Sequence, residues 1–483
     1  MQPEREGNMS YRTGDRKQMA LFPSSIEKYV PNDDPVRAYD VFIEKLDLET
    51  LGIEFDENKI GNPAYHPRIM LKLLVYGYSY GVRSSRKLER EANYNIGFMF
   101  LLEGLKPDFK TISEYRRNNR RAIANVLVQC ARMCVKLGLV KGNTLFVDGT
   151  KMRANASSAN NWTAARCEEA LKGLEKRVKD ILEECERTDE SEESAPSEVH
   201  MSAELADKRI LEEKIKGILN DLKESGKSAI NTTDADSSRV LAADGFMTGY
   251  NAQLCVDGEN GLIVNADIVE SAVDMNQLSG QVQQANESVE GKYDAVVADA
   301  GYHSVRDLKK IDAEGTKVVV PAPRRAAGCE EHEQMRNEFK YDKANDCYIC
   351  PEGHKLVYYT TDEKLQKRRY RIEYAKICKS CKRFGECTTA VKLGRTYSQI
   401  LNRELYAKLE IQYRENRELF RQRRTKSEGP FGHIKRNLGA RQFLLRGIEG
   451  VKAEMAMLAT AFNLTRVMRI LGVEKAIIAI KAM

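Results

Sequence analysis

VVADAGYHS, residues 296–304, puts a carboxylate where a buried strand ends. Val296, Val297 and Ala298 read as core, Asp299 follows, and Ala300-Gly301-Tyr302 turns the chain. An aspartate in that place most often caps the next turn. A second stretch repeats the arrangement: NTLFVDGTKMRA, residues 143–154, is a short apolar run with Asp148 at its end. Two aspartates at the ends of neighbouring strands can share a divalent cation, and hard oxygen ligands suit Mg²⁺ or Mn²⁺. Two such ions about 4 Å apart can activate a water or hydroxyl and stabilise the leaving oxygen in phosphoryl transfer.

Around these two strands the pattern alternates. GYNAQLCVD and GLIVNADIV read as a hairpin, a helix fits 274–289, the Asp299 strand and a helix near 304–313 follow, and KVVVPAP is another strand. The middle of the chain is therefore a mixed α/β layer with parallel and antiparallel pairs. Residues 164–224 interrupt it as two charged helices joined by the Ser/Glu-rich TDESEESAPSE, and these pair as a hairpin. Before the layer, 66–140 is helical. HPRIMLKLLVYGYSYGV starts a helix at Pro67, and TISEYRRNNRRAIANVLVQCARMCVKLG reads as one helix with Thr111 and Glu114 in capping-box order and a stop at Gly138. Residues 402–470 are helical again. This divides the chain into a helical amino-terminal part (1–140), an α/β core (141–323) with a helical insertion at about 155–228, a Cys-rich insert (324–395) and a helical carboxyl-terminal part (396–483).

The length of 483 residues suits roughly two to four domains. Net charge is only +6, but the basic residues cluster at RRNNRR (116–121), KRRYR (367–371), RQRRTK (421–426) and KRNLGARQFLLR (435–446). Separated basic patches fit a nucleic-acid partner. The first residues, MQPEREGNMSYRTGDRK, lack the apolar core of a secretion signal. No run reaches the roughly 18 apolar residues of a membrane span. A cytoplasmic location is expected, where the 11 cysteines stay mostly reduced.

A third carboxylate appears in RQRRTKSEGPFGHIKRN, residues 421–437: Glu428, with Arg424 four residues before it and Lys435 seven after. On one continuous helix these offsets share a face. Pro430 works against such continuity, and a new helix starting after Ser427 is the other reading. Asp234 and Asp236, in NTTDADSSRV, read as a turn before the next strand rather than as metal ligands. CYICPEGH and CKSCKRFGEC supply Cys347-x2-Cys350 and Cys378-x2-Cys381, two pairs about 27 residues apart. That spacing looks like a tetrahedral Zn²⁺ site, separate from the Mg²⁺ ligands. His354 and Cys387 lie close enough in sequence to leave the ligand set open.

These segments together resemble a bacterial insertion-sequence transposase of the DDE type, close to the insertion-sequence family numbered eleven-eighty-two. The resemblance runs through LFPSSIEKYVPNDDPVRAYDVFIEKLDL, HPRIMLKLLVYGY, SSRKLEREANYNIGFMFLLEGLKPDFKTISEYRR, FVDGTKMRANAS, GYNAQLCVD, ADAGYHS and the Glu428 segment. It implies an RNase H-like catalytic core and a catalytic, Mg²⁺-holding trio at Asp148, Asp299 and Glu428. It also implies DNA contacts from a Tyr-x2-Arg-x3-Glu-x6-Lys signature, matched at Arg424, Glu428 and Lys435, with Arg421 in the tyrosine position. The implied activity is cleavage at the element's ends and strand transfer into target DNA. The implied partners are double-stranded DNA and, in the DNA complex, a second copy of the chain. The implied place is the bacterial nucleoid when DNA is bound. A nuclease without strand transfer and a non-catalytic zinc-containing DNA-binding protein are the rival readings.

Overall fold

The computed structural model describes residues 25–53, 64–189, 195–242, 245–322, 338–362, 367–401 and 403–483. The polar first residues, the centre of the Ser/Glu-rich connection and Cys329 lie outside the described residues.

The amino-terminal helices form because apolar residues recur at helical spacing and good caps stand before them. Asp34 caps Pro35–Glu44, accepting from Val36 N. Pro67 occupies the first turn of Pro67–Ser79, where its missing N–H costs nothing. That helix is buried on nearly every side. The single helix expected over 111–138 is two, Phe109–Asn118 and Arg120–Lys136, meeting at Asn119. Asp108 rather than Thr111 is the cap: its Oδ1 accepts from Lys110 N at 2.7 Å and Thr111 N at 2.9 Å. A carboxylate there satisfies two donors that would otherwise be left open.

The strands in chain order are β1 (Thr144–Arg153), β2 (Asn161–Trp162), β3 (Ile230–Asn231), β4 (Ser238–Ala242), β5 (Gly245–Asp257), β6 (Ile263–Val269), β7 (Ala295–Val297) and β8 (Lys317–Val319). The main sheet runs β5-β1-β7-β8, with β4 and β6 sharing the far edge of the long β5. β5 is antiparallel to β1, β4 and β6, while β1, β7 and β8 are mutually parallel. Asp148 does not end its strand as expected. β1 runs on to Arg153, because β5 supplies partners for every residue from Leu145↔Asp257 to Arg153↔Gly249. Between β2 and β3, the helices Ala164–Asp189 and Ala195–Ser225 pack side by side around Cys167, Leu174, Ile215 and Leu222.

A second sheet follows: β9 (Lys340–Asp342), β10 (Cys347–Ile349), β11 (Lys355–Asp362), β12 (Lys367–Ile372) and β13 (Thr396–Ile400), antiparallel in sequential order. It has its own apolar cluster of Phe339, Tyr348, Leu356, Tyr370 and Ile372. The basic run 367–371 is β12.

The carboxyl-terminal helix Ile448–Leu471 joins the two halves of the molecule. It is buried along most of its length and packs on Arg120–Lys136, Pro67–Ser79 and β6. Its Asn463 side chain closes the β6 edge, accepting from Ile263 N at 2.8 Å and donating to Ile263 O at 2.7 Å. Its Glu454, fully buried, pairs with Arg83 at 2.7 Å and accepts from Leu444 N and Leu445 N. Such a buried pair is tolerated because its remaining hydrogen bonds are made. Among the described residues, no single helix is long and apolar enough to cross a membrane.

Candidate active site

Strand register brings the two aspartates together. Phe146 pairs with Val297 across the parallel β1–β7 ladder, and Asp148 and Asp299 each stand two residues further on. With side chains alternating faces, both carboxylates emerge at the same level on the same side of the sheet. Asp299 is also a cap: its Oδ1 accepts from Gly301 N at 2.8 Å and starts the short 3₁₀ turn Ala300–Tyr302. The capping role and a ligand role use different oxygens and are compatible. Burial pushes the Asp148 carboxyl up to about 6; the Arg423 guanidinium opposes this, and the nearby Asp299 charge adds to it.

The third acid reaches the pair through a helix break. Arg417–Lys426 ends at Ser427 and Glu428–Arg436 begins there, with Pro430 in its first turn. Ser427 is buried, and its hydroxyl donates to Asp148 Oδ2 at 3.3 Å and Arg423 O at 2.8 Å rather than to a cap. Arg423 then bridges the acids, with Nη1 3.3 Å from Asp148 Oδ1 and Nη2 3.6 Å from Glu428 Oε1. The break separates Arg424 from Glu428's helix. Arg424 points to solvent, 88% exposed, and its Nε is 4.0 Å from Glu428. Arg421 is also exposed and pairs with Glu418. Lys435 does face the site: its Nζ donates to Thr150 Oγ1 at 2.6 Å. Burial lowers its ammonium pKa, and the Asp148 charge opposes that.

Sequence reasoning missed Arg423 and Ser427, although RQRRTKS shows both. It chose Arg424 by the signature's spacing, which presumes an unbroken helix. It also missed what holds the site from the other face of β1. Asp274 Oδ1 accepts from Asn251 Nδ2 and Gln253 Nε2, both at 2.9 Å, and from Lys151 Nζ at 3.3 Å. Tyr302 donates to Gln253 Oε1. A Cβ at Gly149 would lie 2.5 Å from Gln253 Nε2 and 2.7 Å from Asp274 Oδ1, so only glycine lets this network press against the strand beside Asp148. Asp234 and Asp236 are structural: Asp234 accepts from Tyr250 Oη and Gly447 N, Asp236 from Ile448 N.

An open groove of about 530 Å³ lies beside Asp148, lined by Thr150, Lys151, Arg153, Phe246, Lys435 and Arg441 among others. Four cations, Lys151, Arg153, Lys435 and Arg441, line it, which suits an anionic polymer. Among the described residues, no group of three or more His, Cys, Asp or Glu side chains is drawn close enough to hold a metal as it stands. At the carboxylates, the Arg423 guanidinium stands between Asp148 and Glu428. An all-oxygen set around a cationic position fits a hard divalent ion. In the second sheet, Cys350, Cys378 and Cys381 line one cavity, joined by Cys387. The structure does not bring Cys347 to them. It lies buried in β10, opposite Asp342 and Val357. Cys347 is fixed in the strand and Cys350 stands past its end, so the Cys347-x2-Cys350 pair does not line the cavity together. Cys130, Cys134, Cys167 and Cys255 are buried, as their lack of ligand spacing suggests.

Comparison with known proteins adds the family. Residues 24–118 match the Transposase domain (DUF772), and residues 349–468 match a Transposase DDE domain. Glu428 falls inside the second range; Asp148 and Asp299 fall between the two. No curated protein matches the chain. Among solved structures, a piggyBac transposase synaptic complex with hairpin DNA aligns over 93% of this chain and 79% of that one, at 10% identity and a TM-score of 0.32. The chain thus matches a transposase domain over its amino-terminal helices and a transposase DDE domain over its carboxyl-terminal part.

Proposed function

We propose that the chain cuts the ends of an insertion sequence of the eleven-eighty-two kind and joins them to target DNA at Asp148, Asp299 and Glu428. The observation that supports this is the register: parallel strands set Asp148 and Asp299 at the same level, and Arg423 links Asp148 to Glu428 at the start of the following helix. The strand order, with β6-β5-β1 antiparallel and β1-β7-β8 parallel, supports an RNase H-like core built from 141–323 and the helices from Arg403 onward; Thr396–Ile400 belongs to the second sheet instead. Residues 1–140 then serve mainly as a DNA-binding part, and two copies act together on paired ends.

Asp148, Asp299 and Glu428 would hold Mg²⁺ or Mn²⁺. Bound there, the ion supplies positive charge to the scissile phosphate and acidity to the attacking water or hydroxyl. The protein's own groups do the rest. The sheet holds two carboxylates rigidly, and the Asp274 network buttresses β1. Ser427 fixes Asp148 by a hydrogen bond. Arg423 neutralises the acids until a cation arrives, and is then free to take a phosphate oxygen. In the first step a water attacks a phosphodiester at the element end, leaving a 3′-hydroxyl. In the second that hydroxyl attacks a target phosphodiester, and one phosphate ester replaces another.

Incubating the purified chain with labelled element ends, target DNA and Mg²⁺ tests this. Joined products are expected; cut ends that never join would leave a nuclease, and uncut DNA would refute the reading. Lys435 and Arg441 are expected to grip backbone phosphates in the groove. Each replacement by Ala should lower the salt slope of binding by about 1, equally on element ends and unrelated DNA, since phosphate contacts carry no base information. Arg424→Ala, exposed at the site's rim, separates the alternatives. A drop in slope with unchanged cleavage by bound protein marks a phosphate contact. An unchanged slope marks a solvated residue.

A further inference from the structure

We propose that Cys350, Cys378, Cys381 and Cys387 bind one structural zinc ion that ties the second sheet together. Sequence spacing alone selected Cys347 in place of Cys387. The fold reverses that choice.

Four observations support it. First, the four thiols come from separate places: Cys350 follows β10, Cys378 lies in the short helix Ala375–Lys379, and Cys381 and Cys387 lie in the turns after it. All four nevertheless line a single cavity. Second, three of the sulfurs already accept main-chain N–H groups: Cys350 Sγ from His354 N at 3.3 Å, Cys378 Sγ from Arg395 N at 3.3 Å, and Cys381 Sγ from Arg383 N at 3.4 Å. A neutral thiol is a weak acceptor, whereas a thiolate bound to metal uses such donors well. Third, Arg383 and Arg395 line the same cavity. Four thiolates around Zn²⁺ carry a net charge of about −2; the Arg395 guanidinium offsets part of it, while Arg383 is also paired with Glu338. Arg395 also donates from Nη1 to Cys387 O at 2.5 Å, which ties the loop of one ligand to the strand after it. Fourth, the sheet's buried apolar cluster among the described residues is small, made of Phe339, Tyr348, Leu356, Tyr370 and Ile372. A core that small usually needs a further staple.

The sulfurs are gathered but not closed on one point, as no group among the described residues holds an ion as it stands. Zinc–sulfur bonds of about 2.3 Å would draw them inward. Binding is an exchange of protons for metal: each thiol releases its proton to solvent as its sulfur bonds Zn²⁺, and nothing is oxidised or reduced. His354 also lines the cavity, but it is exposed and the four sulfurs complete a tetrahedron without it. Cys347 is shut off by the strand geometry.

The test uses the full chain and is separate from cleavage. Elemental analysis after purification in zinc-containing buffer should find about one zinc per chain. Cys387→Ser and Cys381→Ser should lose it, and Cys347→Ser should keep it. Because a Ser variant may misfold, Cys387→His provides a conservative control. It should still bind Co²⁺ tetrahedrally, with weaker thiolate-to-cobalt charge-transfer absorption than the wild-type chain. The cleavage-deficient Asp299→Ala protein should retain its zinc, so failure of the catalytic reading and failure of this one are distinguishable. A wild-type chain without zinc, a Cys347→Ser chain that loses it, or a Cys387→Ser chain that keeps it would each overturn the proposal.

Discussion

Asp299→Ala abolishes cleavage of element ends, by at least about 10³-fold, while binding to the same DNA stays close to wild type. The size follows from the role. A ligand that holds the divalent ion contributes several kcal/mol of transition-state stabilisation, and every 1.36 kcal/mol is about tenfold in rate. Binding is spared because affinity comes from cations on the groove wall, not from an acid that repels phosphate. Asp299 is preferred for this test over Asp148 because it is partly exposed at the end of β7, so its loss leaves no hole in the core. Its capping bond to Gly301 N is lost as well. Asp299→Ser therefore serves as a second variant, able to cap but a poor ligand, and it should be as inactive as the alanine form. The assay is cleavage of a labelled end in Mg²⁺ beside a binding titration. A companion measurement follows thermal stability against Mg²⁺ concentration, which should rise for the wild type and stay flat for both variants. Full cleavage by Asp299→Ala would sink the catalytic assignment.

Asp148→Asn stabilises the metal-free protein at neutral pH, by about 3 kcal/mol. The native state holds the Asp148 carboxyl at about 6, chiefly through burial. Its ordinary value is about 3.9. The folded chain therefore keeps a proton that the unfolded chain has lost. Between roughly pH 4 and pH 6 stability falls as pH rises, and above pH 6 the full penalty of the buried charge is present. Asparagine mimics the protonated form and removes that penalty. The gain should be complete at pH 8 and vanish below about pH 4, as read by denaturant unfolding at both values in the presence of a chelator. The same variant should lose cleavage, since an amide is a poor ligand for a hard cation. A substitution that strengthens the fold and ends the activity is what a site strained for function produces. An Asp148→Asn protein less stable than wild type at pH 8 would show that the Asp148–Arg423 pair outweighs burial.

Much of this was legible in the sequence because it depends on local patterns. The apolar runs before Asp148 and Asp299, the GYNAQLCVD–GLIVNADIV hairpin and the two charged helices after 164 are set by side-chain periodicity and turn residues, and each formed close to its expected place. The two aspartates stood out because the same arrangement, a carboxylate after a buried apolar run, occurs at both Asp148 and Asp299. Where the reading failed, a competing partner far along the chain decided. β1 continues past Asp148 because β5, about a hundred residues later, supplies hydrogen bonds for it. One helix start was moved by a local cause instead: Asp108, not Thr111, is the cap because it stands immediately before the first helical residue, Phe109.

The sequence by itself determined the residue types, their order and the apolar periodicity. From these follow a mixed α/β layer, an amino-terminal helical part and three acids of the right chemistry. Only the tertiary structure decided which cations stand beside those acids and which cysteines share a cavity. Arg423 rather than Arg424 faces Asp148 because the chain breaks at Ser427, turning the preceding helix relative to Glu428. Cys387 rather than Cys347 joins the other thiols because Cys347 is held inside β10 between Asp342 and Val357, while Cys350 lies past the strand's end. In both cases spacing along the chain assumed one regular element. Side-chain direction, which rotates by about 100° per residue in a helix and 180° in a strand, is set only when the true element boundaries are known.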